Sequence, residues 1–292
     1  MKNMRRITLL IFFLLFSWLC FAQTLTVGSY NIRYKNKEDS IKGNGWVVRC
    51  PSICHQILWE CPDIFGAQEV LHRQLLDMEN GLRGKYKWIG VGRDDGKKKG
   101  EYAAIFYNPE RVELLEEGHF WLNETPDRPA LGWDAACVRI CTWGHFRDRN
   151  TGSDFYFLNL HLDHVGVTAR SESAKLVMQR ITEMTDGGKK LAVLTGDFNV
   201  SQTNELYTLF TESGVLKDCY ACASLRFAET GTFNGFKPNK FTTERIDHIF
   251  VTPATTVEAY AVRTDSRWQE EDGAMVRRVL SDHYPVFARI RF

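Results

Sequence analysis

Residues 191–200 read Leu191-Ala192-Val193-Leu194-Thr195-Gly196-Asp197-Phe198-Asn199-Val200. The apolar run Leu191–Leu194 follows the turn signal Gly187-Gly188 and is too short for a helix, so it reads as a buried strand. It ends by presenting an aspartate and, two residues on, an asparagine. One strand-end carboxylate is ordinarily a turn or cap residue. Here the pattern recurs: Asn31 closes Leu25–Tyr30, Gln68-Glu69 close Ile64–Ala67, Asn159 and His161 close Phe155–Leu158, Asp247 sits within Arg245–Val251, and Ser281-Asp282-His283 precede Val286–Ile290. Strand ends of this kind repeated along the chain predict one converging site.

Outward from these runs, strands are also expected at Trp88–Val91 and Ala103–Tyr107, and helices at Pro51–Glu60, Arg73–Gly81 and Thr168–Met184, with Pro51 in a first helical turn. Strands alternate with helices early and cluster late. This predicts an α/β protein with two sheets packed on each other and helices outside. No repeat or Pro- or Ser-rich linker divides the chain, and loops at Gly92–Gly100, Leu122–Trp133 and Glu229–Thr243 are candidate binding surfaces.

The 292 residues are 44% hydrophobic and 13% aromatic, enough for a large core and against disorder. Lys2, Arg5 and Arg6 precede the apolar stretch Ile7–Leu19 and then Cys20-Phe21-Ala22, the layout of an export signal cleaved near Ala22. The stretch is shorter than the roughly 20 residues of a membrane span, and lipid anchoring at Cys20 is the lesser alternative because bulky Trp18 and Leu19 precede it. Residues 1–22 are therefore read as a signal peptide and 23–292 as one domain, secreted or periplasmic. Without the leader, 34 Lys and Arg stand against 36 Asp and Glu, a net charge of −2. That balance disfavours a polyanion binder, although one basic stripe suffices for a nuclease. Seven cysteines remain, Cys50, Cys54, Cys61, Cys137, Cys141, Cys219 and Cys222. They are read as buried free thiols, with disulfides or a structural zinc as alternatives.

The strand-end residues make chemical sense together. Asn31, Glu69, Asp197, Asn199 and Asp282 offer hard oxygen atoms suited to Mg²⁺ or Mn²⁺, and His161 and His283 can donate to an oxyanion or exchange a proton near neutral pH. The set fits metal-assisted phosphoester cleavage. His55, His72, His119 and His145 read as surface or packing residues; His164 and His248 are intermediate, since each neighbours a motif but points away from His161 or Asp247 by alternation if the strand continues.

The segments SYNIR (29–33), PDIFGAQEV (62–70), NLHLDH (159–164), TGDFN (195–199), RIDHIF (245–250) and SDHYPV (281–286) resemble the ordered motifs of the endonuclease/exonuclease/phosphatase superfamily, which has the fold of pancreatic deoxyribonuclease. The resemblance covers almost the whole chain after the leader. It implies a four-layer α/β sandwich of two mostly antiparallel or mixed sheets flanked by helices. It further implies Glu69 as the main metal carboxylate, Asn31 as its neighbour, and Asp282 at a second metal position. Asp197 and Asn199 would orient water and hold phosphate, His283 would contact phosphoryl oxygens or act as base with Asp247 fixing its ring, and His161 would stabilise the phosphoryl or leaving group. Arg93, Tyr102, Trp133 and Phe233 are candidate substrate contacts, with Trp121 as a further aromatic. The expected activity is a metal-dependent phosphoesterase acting as a monomer, without an obligate protein partner, on a small, lipid or sugar phosphate. A secreted nuclease is the alternative, and a non-catalytic binding protein on the same fold a weaker one. No G-x-S-x-G segment is present to support a serine hydrolase.

Overall fold

The computed structural model describes residues 24–292, so the expected leader and Cys20 lie outside the described residues. In chain order the strands are β1 Leu25–Asn31, β2 Ile64–Leu71, β3 Lys87–Ile89, β4 Glu101–Tyr107, β5 Val112–Trp121, β6 Ile140–Asp148, β7 Asp154–His161, β8 Leu191–Asp197, β9 Lys217–Asp218, β10 Leu225–Phe227, β11 Asp247–Val251, β12 Thr256–Val262, β13 Ser266–Glu271, β14 Ala274–Val279 and β15 Val286–Arg291. The helices are α1 Lys37–Ile41, α2 Trp46–Glu60, α3 His72–Gly81, α4 Val167–Met184, α5 Glu205–Thr211 and the single turn α6 Cys219–Cys222.

Strand alternation sorts the side chains into layers. In β8, Val193 faces the opposite sheet while Leu194 faces outward, joining Phe198, Phe210 and Phe250 beneath α4 and α5. In β2, Ile64 faces inward and Phe65 packs under α2 and α3 with Ile53, Ile57 and Leu75. The result is helix, sheet, sheet, helix. The seven-stranded sheet runs β10-β12-β15-β1-β2-β4-β3 and the six-stranded one β5-β6-β7-β8-β11-β9, with β13 and β14 forming a separate hairpin. Both large sheets are mixed: β1–β2 and β7–β8 are parallel, whereas β1–β15 and β8–β11 are antiparallel.

The inward rows change character along their length. β7 runs Phe155, Phe157, Asn159, His161; β8 runs Val193, Thr195, Asp197; β1 runs Val27, Ser29, Asn31. Apolar residues fill one end of the inter-sheet space, uncharged polar residues the middle and the motif residues the other end. The middle layer is hydrogen-bonded across the two sheets: Asn159 Nδ2 donates to the Ala67 and Ala104 carbonyls, while its Oδ1 accepts from Gln68 Nε2 and Thr195 Oγ1. Gln68 Nε2 also donates to Ser29 Oγ. Gln68 and Asn159, expected at the converging site, thus join the two sheets instead. Gly66 makes room for this plug, since a Cβ there would lie 2.3 Å from Asn159 Oδ1.

Three expectations change. Helix α2 begins five residues before Pro51, which lies inside it. Buried Trp46 and Arg49 anchor the first turn, and the Arg49 guanidinium donates to the Ile32, Asn44 and Leu280 carbonyls. Strands β5, β6 and β12 were not marked by alternation; β5 is an edge strand whose register shifts between Leu114 and Glu116, which scrambles its period. Among the cysteines, Cys61 and Cys222 are exposed rather than buried, and Cys50 and Cys54 face each other one helical turn apart with Sγ atoms 4.0 Å apart.

Candidate active site

The pairing register assembles the centre. His161 lies opposite Asp197 in the parallel β7–β8 pair, and Asp197 lies opposite Asp247 in the antiparallel β8–β11 pair, giving a row of three titratable residues across three strands. His283 joins them from the segment before β15, where it bridges to Phe233. Asp197 Oδ2 lies 3.5 Å from His161 Nε2 and 3.6 Å from His283 Nε2, and His283 Nδ1 is 2.9 Å from Asp247 Oδ2.

The opposite sheet supplies Asn31 and Glu69. Glu69 sits where the β2–β4 register shifts between Ala67 and Val70, with a left-handed φ of 61° that a non-glycine residue adopts only when its surroundings impose it. That backbone turn delivers the carboxylate to the site. Asn31 Nδ2 donates to Glu69 Oε1 at 3.0 Å and to Asp197 Oδ2 at 2.9 Å, while its Oδ1 accepts the Arg33 N–H. Asn31 therefore ties the two carboxylates together. Asn199 is likewise left-handed, at φ 51°; its N–H caps Asp197 Oδ1 and its Nδ2 donates to the Leu162 carbonyl.

Electrostatics separate the groups. Burial raises the Asp197 carboxyl to about 7; the nearby His283 opposes that rise and Asp247 adds to it. Burial is also the largest influence on His283 and favours the neutral ring, but Asp247, Asp197 and Asp282 together outweigh it and hold His283 well above the ordinary histidine value. His161 moves the other way. Burial lowers it well below that value, reinforced by Arg139 and Arg93. Asp282 is raised by burial and by its neighbour Glu69.

A cavity of about 440 Å³ opens over this centre, bordered by Glu69, His161, Asp197, Asn199, Asp282 and His283. A larger groove of about 620 Å³ between α4 and α5 holds none of these residues and lies apart from the chemistry. Glu69 and Asp282 face the same cavity, and Arg33 reaches both, at 3.8 and 3.6 Å. Two crowded carboxylates with further oxygens nearby fit a hard divalent cation. A second set of potential donor atoms, from Asp197, Asp247 and His283, lies within 4.8 Å of one another. In that set the His283 Nδ1 is already engaged by Asp247, an arrangement that fixes the ring and supports its positive form.

Of the expected substrate contacts, Arg93 and Phe233 border the cavity. Arg93 is gripped by both oxygens of Glu101, and Phe233 lies edge to face on His283 with ring centres 5.0 Å apart. Tyr102 and Trp133 do not border this cavity. The Tyr102 hydroxyl donates to the Lys97 carbonyl and lies 3.2 Å from His72 Nδ1, which locks the loop, and the residue borders a small recess shared with Glu69, Arg93 and His161. Trp133 is outside the cavity lining, its N–H bonded to Glu124. Trp121 also serves packing, with its indole N–H on the Arg93 carbonyl.

Several residues at the site had no assigned part. Arg33, Asp163 and His164 stand inside the motif segments, so their signal was present. His164 borders the cavity because β7 stops at His161 and alternation ends with it; His248, within β11, does face away and hydrogen-bonds the Val200 carbonyl. Arg139 had no local signal. It is buried, with Nε on Asp163 and Nη2 on His164.

The comparisons agree with this geometry. Residues 28–283 match the model of the endonuclease/exonuclease/phosphatase family. A mannosyl-6-phosphatase from Bacteroides thetaiotaomicron is 50% identical and superposes with a TM-score of 0.89, over 92% of this chain and all of that one. An endonuclease/exonuclease/phosphatase family protein from the same organism is 49% identical with a TM-score of 0.89, over 91% of this chain and 97% of that one. An uncharacterized protein of Acanthamoeba polyphaga mimivirus is 26% identical over 252 residues, 82% of this chain and 90% of its own length. The family's enzymes are divalent-metal-dependent phosphoesterases and nucleases, and this chain, with two mixed sheets flanked by helices and the motif residues gathered at one end, belongs to the endonuclease/exonuclease/phosphatase family.

Proposed function

We propose that the protein is an exported phosphoesterase, dependent on Mg²⁺ or Mn²⁺, that hydrolyses a phosphorylated small molecule, a phosphorylated sugar before all others. The observation that carries the reading is the placement of Asp197 between two oppositely tuned histidines at the mouth of an oxygen-lined cavity. The sugar preference rests on the 50% identity to the mannosyl-6-phosphatase and on the net charge of −2 without the leader. Export rests on the layout of the leader.

Glu69 and Asp282 would hold the cation, which when bound neutralises phosphoryl charge and lowers the pKa of water. His283, held protonated by Asp247, donates from Nε2 to the phosphoryl oxygens as charge develops on them. A protonated imidazole cannot take a proton, which leaves Asp197, raised to about 7, to accept the one released by the attacking water. Asn31 and the Asn199 N–H fix that carboxyl in place. His161 stays neutral and stabilises the phosphoryl group by hydrogen bonding rather than by charge. Water attacks phosphorus in line as the bond to the sugar oxygen breaks, the departing alkoxide takes a proton from solvent, and no covalent enzyme intermediate is needed.

The test is a panel assay of protein beginning at Gln23, with Mg²⁺, Mn²⁺ or EDTA, against sugar and inositol phosphates, phosphodiester lipids, plasmid DNA and RNA. Sugar phosphate turnover that EDTA abolishes and Mg²⁺ restores is expected. Turnover indifferent to EDTA overturns the metal mechanism, and plasmid nicking faster than sugar phosphate release overturns the substrate assignment.

A further inference from the structure

The floor of the cavity contains a recess of about 10 Å³, bordered by Glu69, Arg93, Glu101, Arg139 and His161. All five also border the main cavity, so the recess opens from it. Its volume is that of one oxygen-sized atom. Three buried polar atoms from these side chains lack any hydrogen-bond partner: Arg93 Nε, Arg139 Nη1 and His161 Nδ1. Unpaired buried donors are rare and call for an acceptor.

The remaining arms of both guanidiniums are anchored from behind. Arg93 Nη1 and Nη2 hold Glu101 at 2.7 and 3.0 Å. Arg139 Nε holds Asp163 at 3.2 Å and its Nη2 holds His164 Nδ1 at 2.9 Å. Asp163 is itself fixed by the Val165 and Gly166 N–H groups. The Arg139 Nη1 N–H is therefore preorganised and free, Arg93 Nε has only the Asp94 carboxylate beyond hydrogen-bond reach at 3.9 Å, and two guanidinium donors on one acceptor favour an anionic oxygen. His161 Nδ1 completes the donor set when it carries the ring's single proton.

From this geometry, and resting on the phosphoesterase reading above, we infer that the recess admits the third terminal oxygen of a phosphomonoester dianion, and that Arg139 is the residue that makes the enzyme prefer monoesters to diesters. A diester puts an esterified oxygen at that position. Its carbon has no room in a one-atom recess, whose remaining lining is Tyr102, Ala103 and Ile140.

Calorimetric titration of the protein from Gln23 onward with methyl phosphate and dimethyl phosphate, with and without Mg²⁺, tests this directly. Methyl phosphate is expected to bind at least 30-fold more tightly than dimethyl phosphate. Arg139→Met is expected to weaken methyl phosphate at least tenfold while changing dimethyl phosphate by less than threefold, and turnover of p-nitrophenyl phosphate against bis(p-nitrophenyl) phosphate is expected to shift in the same sense, mainly in KM. Arg139→Lys, which keeps the pairing with Asp163 but lacks the fork, is the control if the methionine variant melts early; it is expected to show the same selective loss, smaller in size. Equal weakening of both ligands, or no change in either, overturns the inference. The outcomes also separate it from the wider reading: loss of metal-dependent turnover on every ester with selective methyl phosphate binding intact sinks only the enzymatic assignment.

Discussion

The corner around His283 and the corner around His161 flank one carboxylate at nearly equal distances, 3.6 and 3.5 Å from Asp197 Oδ2, yet they are tuned in opposite directions. Both imidazoles are buried, and burial favours the neutral ring in each. What differs is the second neighbour. His283 leans on Asp247, whereas His161 is backed by Arg139 and Arg93. The same side chain thus becomes a fixed cation on one side and a neutral donor on the other, and the residue behind it decides which.

Breaking the His283 corner should cost most. His283→Asn is expected to lower kcat by about 10²–10³-fold, the usual range for removing a preorganised donor to developing phosphoryl charge. Asp247→Asn should approach that loss, and the double variant should be no worse than His283→Asn alone, because the two act as one unit. Steady-state kinetics on a sugar phosphate checks this; additive losses would mean the pair does not act together. The His161 corner should be more forgiving. His161→Asn places an amide nitrogen where Nδ1 stands and should cost about tenfold, far less than the same change at 283 if His161 works only as a donor.

Two further changes probe what the corners share and what they do not. Asn159 lies one step below His161 in the inward row and joins both sheets, so Asn159→Leu should lower stability by about 1–3 kcal/mol through unpaired carbonyls and disturb both corners alike. Gly66→Ala drives a methyl into the same plug and should destabilise by a similar amount, about 1–3 kcal/mol, in urea unfolding. Asp163 belongs to the His161 side alone. Burial, the largest influence there, raises its carboxyl, but the Gly166, Val165 and Ala136 N–H groups and Arg139 outweigh it and leave it well below the usual range. A depressed folded value stabilises above the unfolded carboxylate value of about 4 and loses that stabilisation as the pH falls below it. Asp163→Asn should therefore lower the urea midpoint at pH 7 and differ less from the parent at pH 3, with His283-dependent chemistry the least affected.

Much of this arrangement is legible in the chain itself. The runs ending in Asn31, Glu69, His161 and Asp197 become neighbouring strands, because alternation and a shared polar terminus encode both the face and the end of the sheet. Alternation fails where the register breaks. Glu69 reaches the site only through the shift after Ala67, and β5 loses its period at the shift after Leu114. Tyr102 stacks beside His72 and borders only the small recess, while its neighbour Glu101 also faces the main cavity. Arg139 and Arg49 were silent for another reason: each acts mainly through carbonyls or side chains distant in sequence, such as Leu280 for Arg49 and Asp163 for Arg139, and an isolated arginine gives no sign of where those lie. Pro51 was read as a helix start because a first turn is its commonest helical position, but Trp46 and Arg49 supply the anchor that decides it.

The row His161, Asp197, Asp247 has a kinetic consequence. Because the three residues are set by the pairing of β8 with both neighbours, any opening that frees β8 from either one dismantles the centre, and slippage by a single residue would bring Gly196 and its neighbours into line instead. The Leu162 N–H, bonded to the Asp197 carbonyl, and the Phe198 N–H, bonded to the Ile246 carbonyl, lie on either side of that strand end. Their deuterium uptake would serve as a clock for site integrity: inactivation by denaturant should keep pace with exchange at these two amides, with no partly active species between.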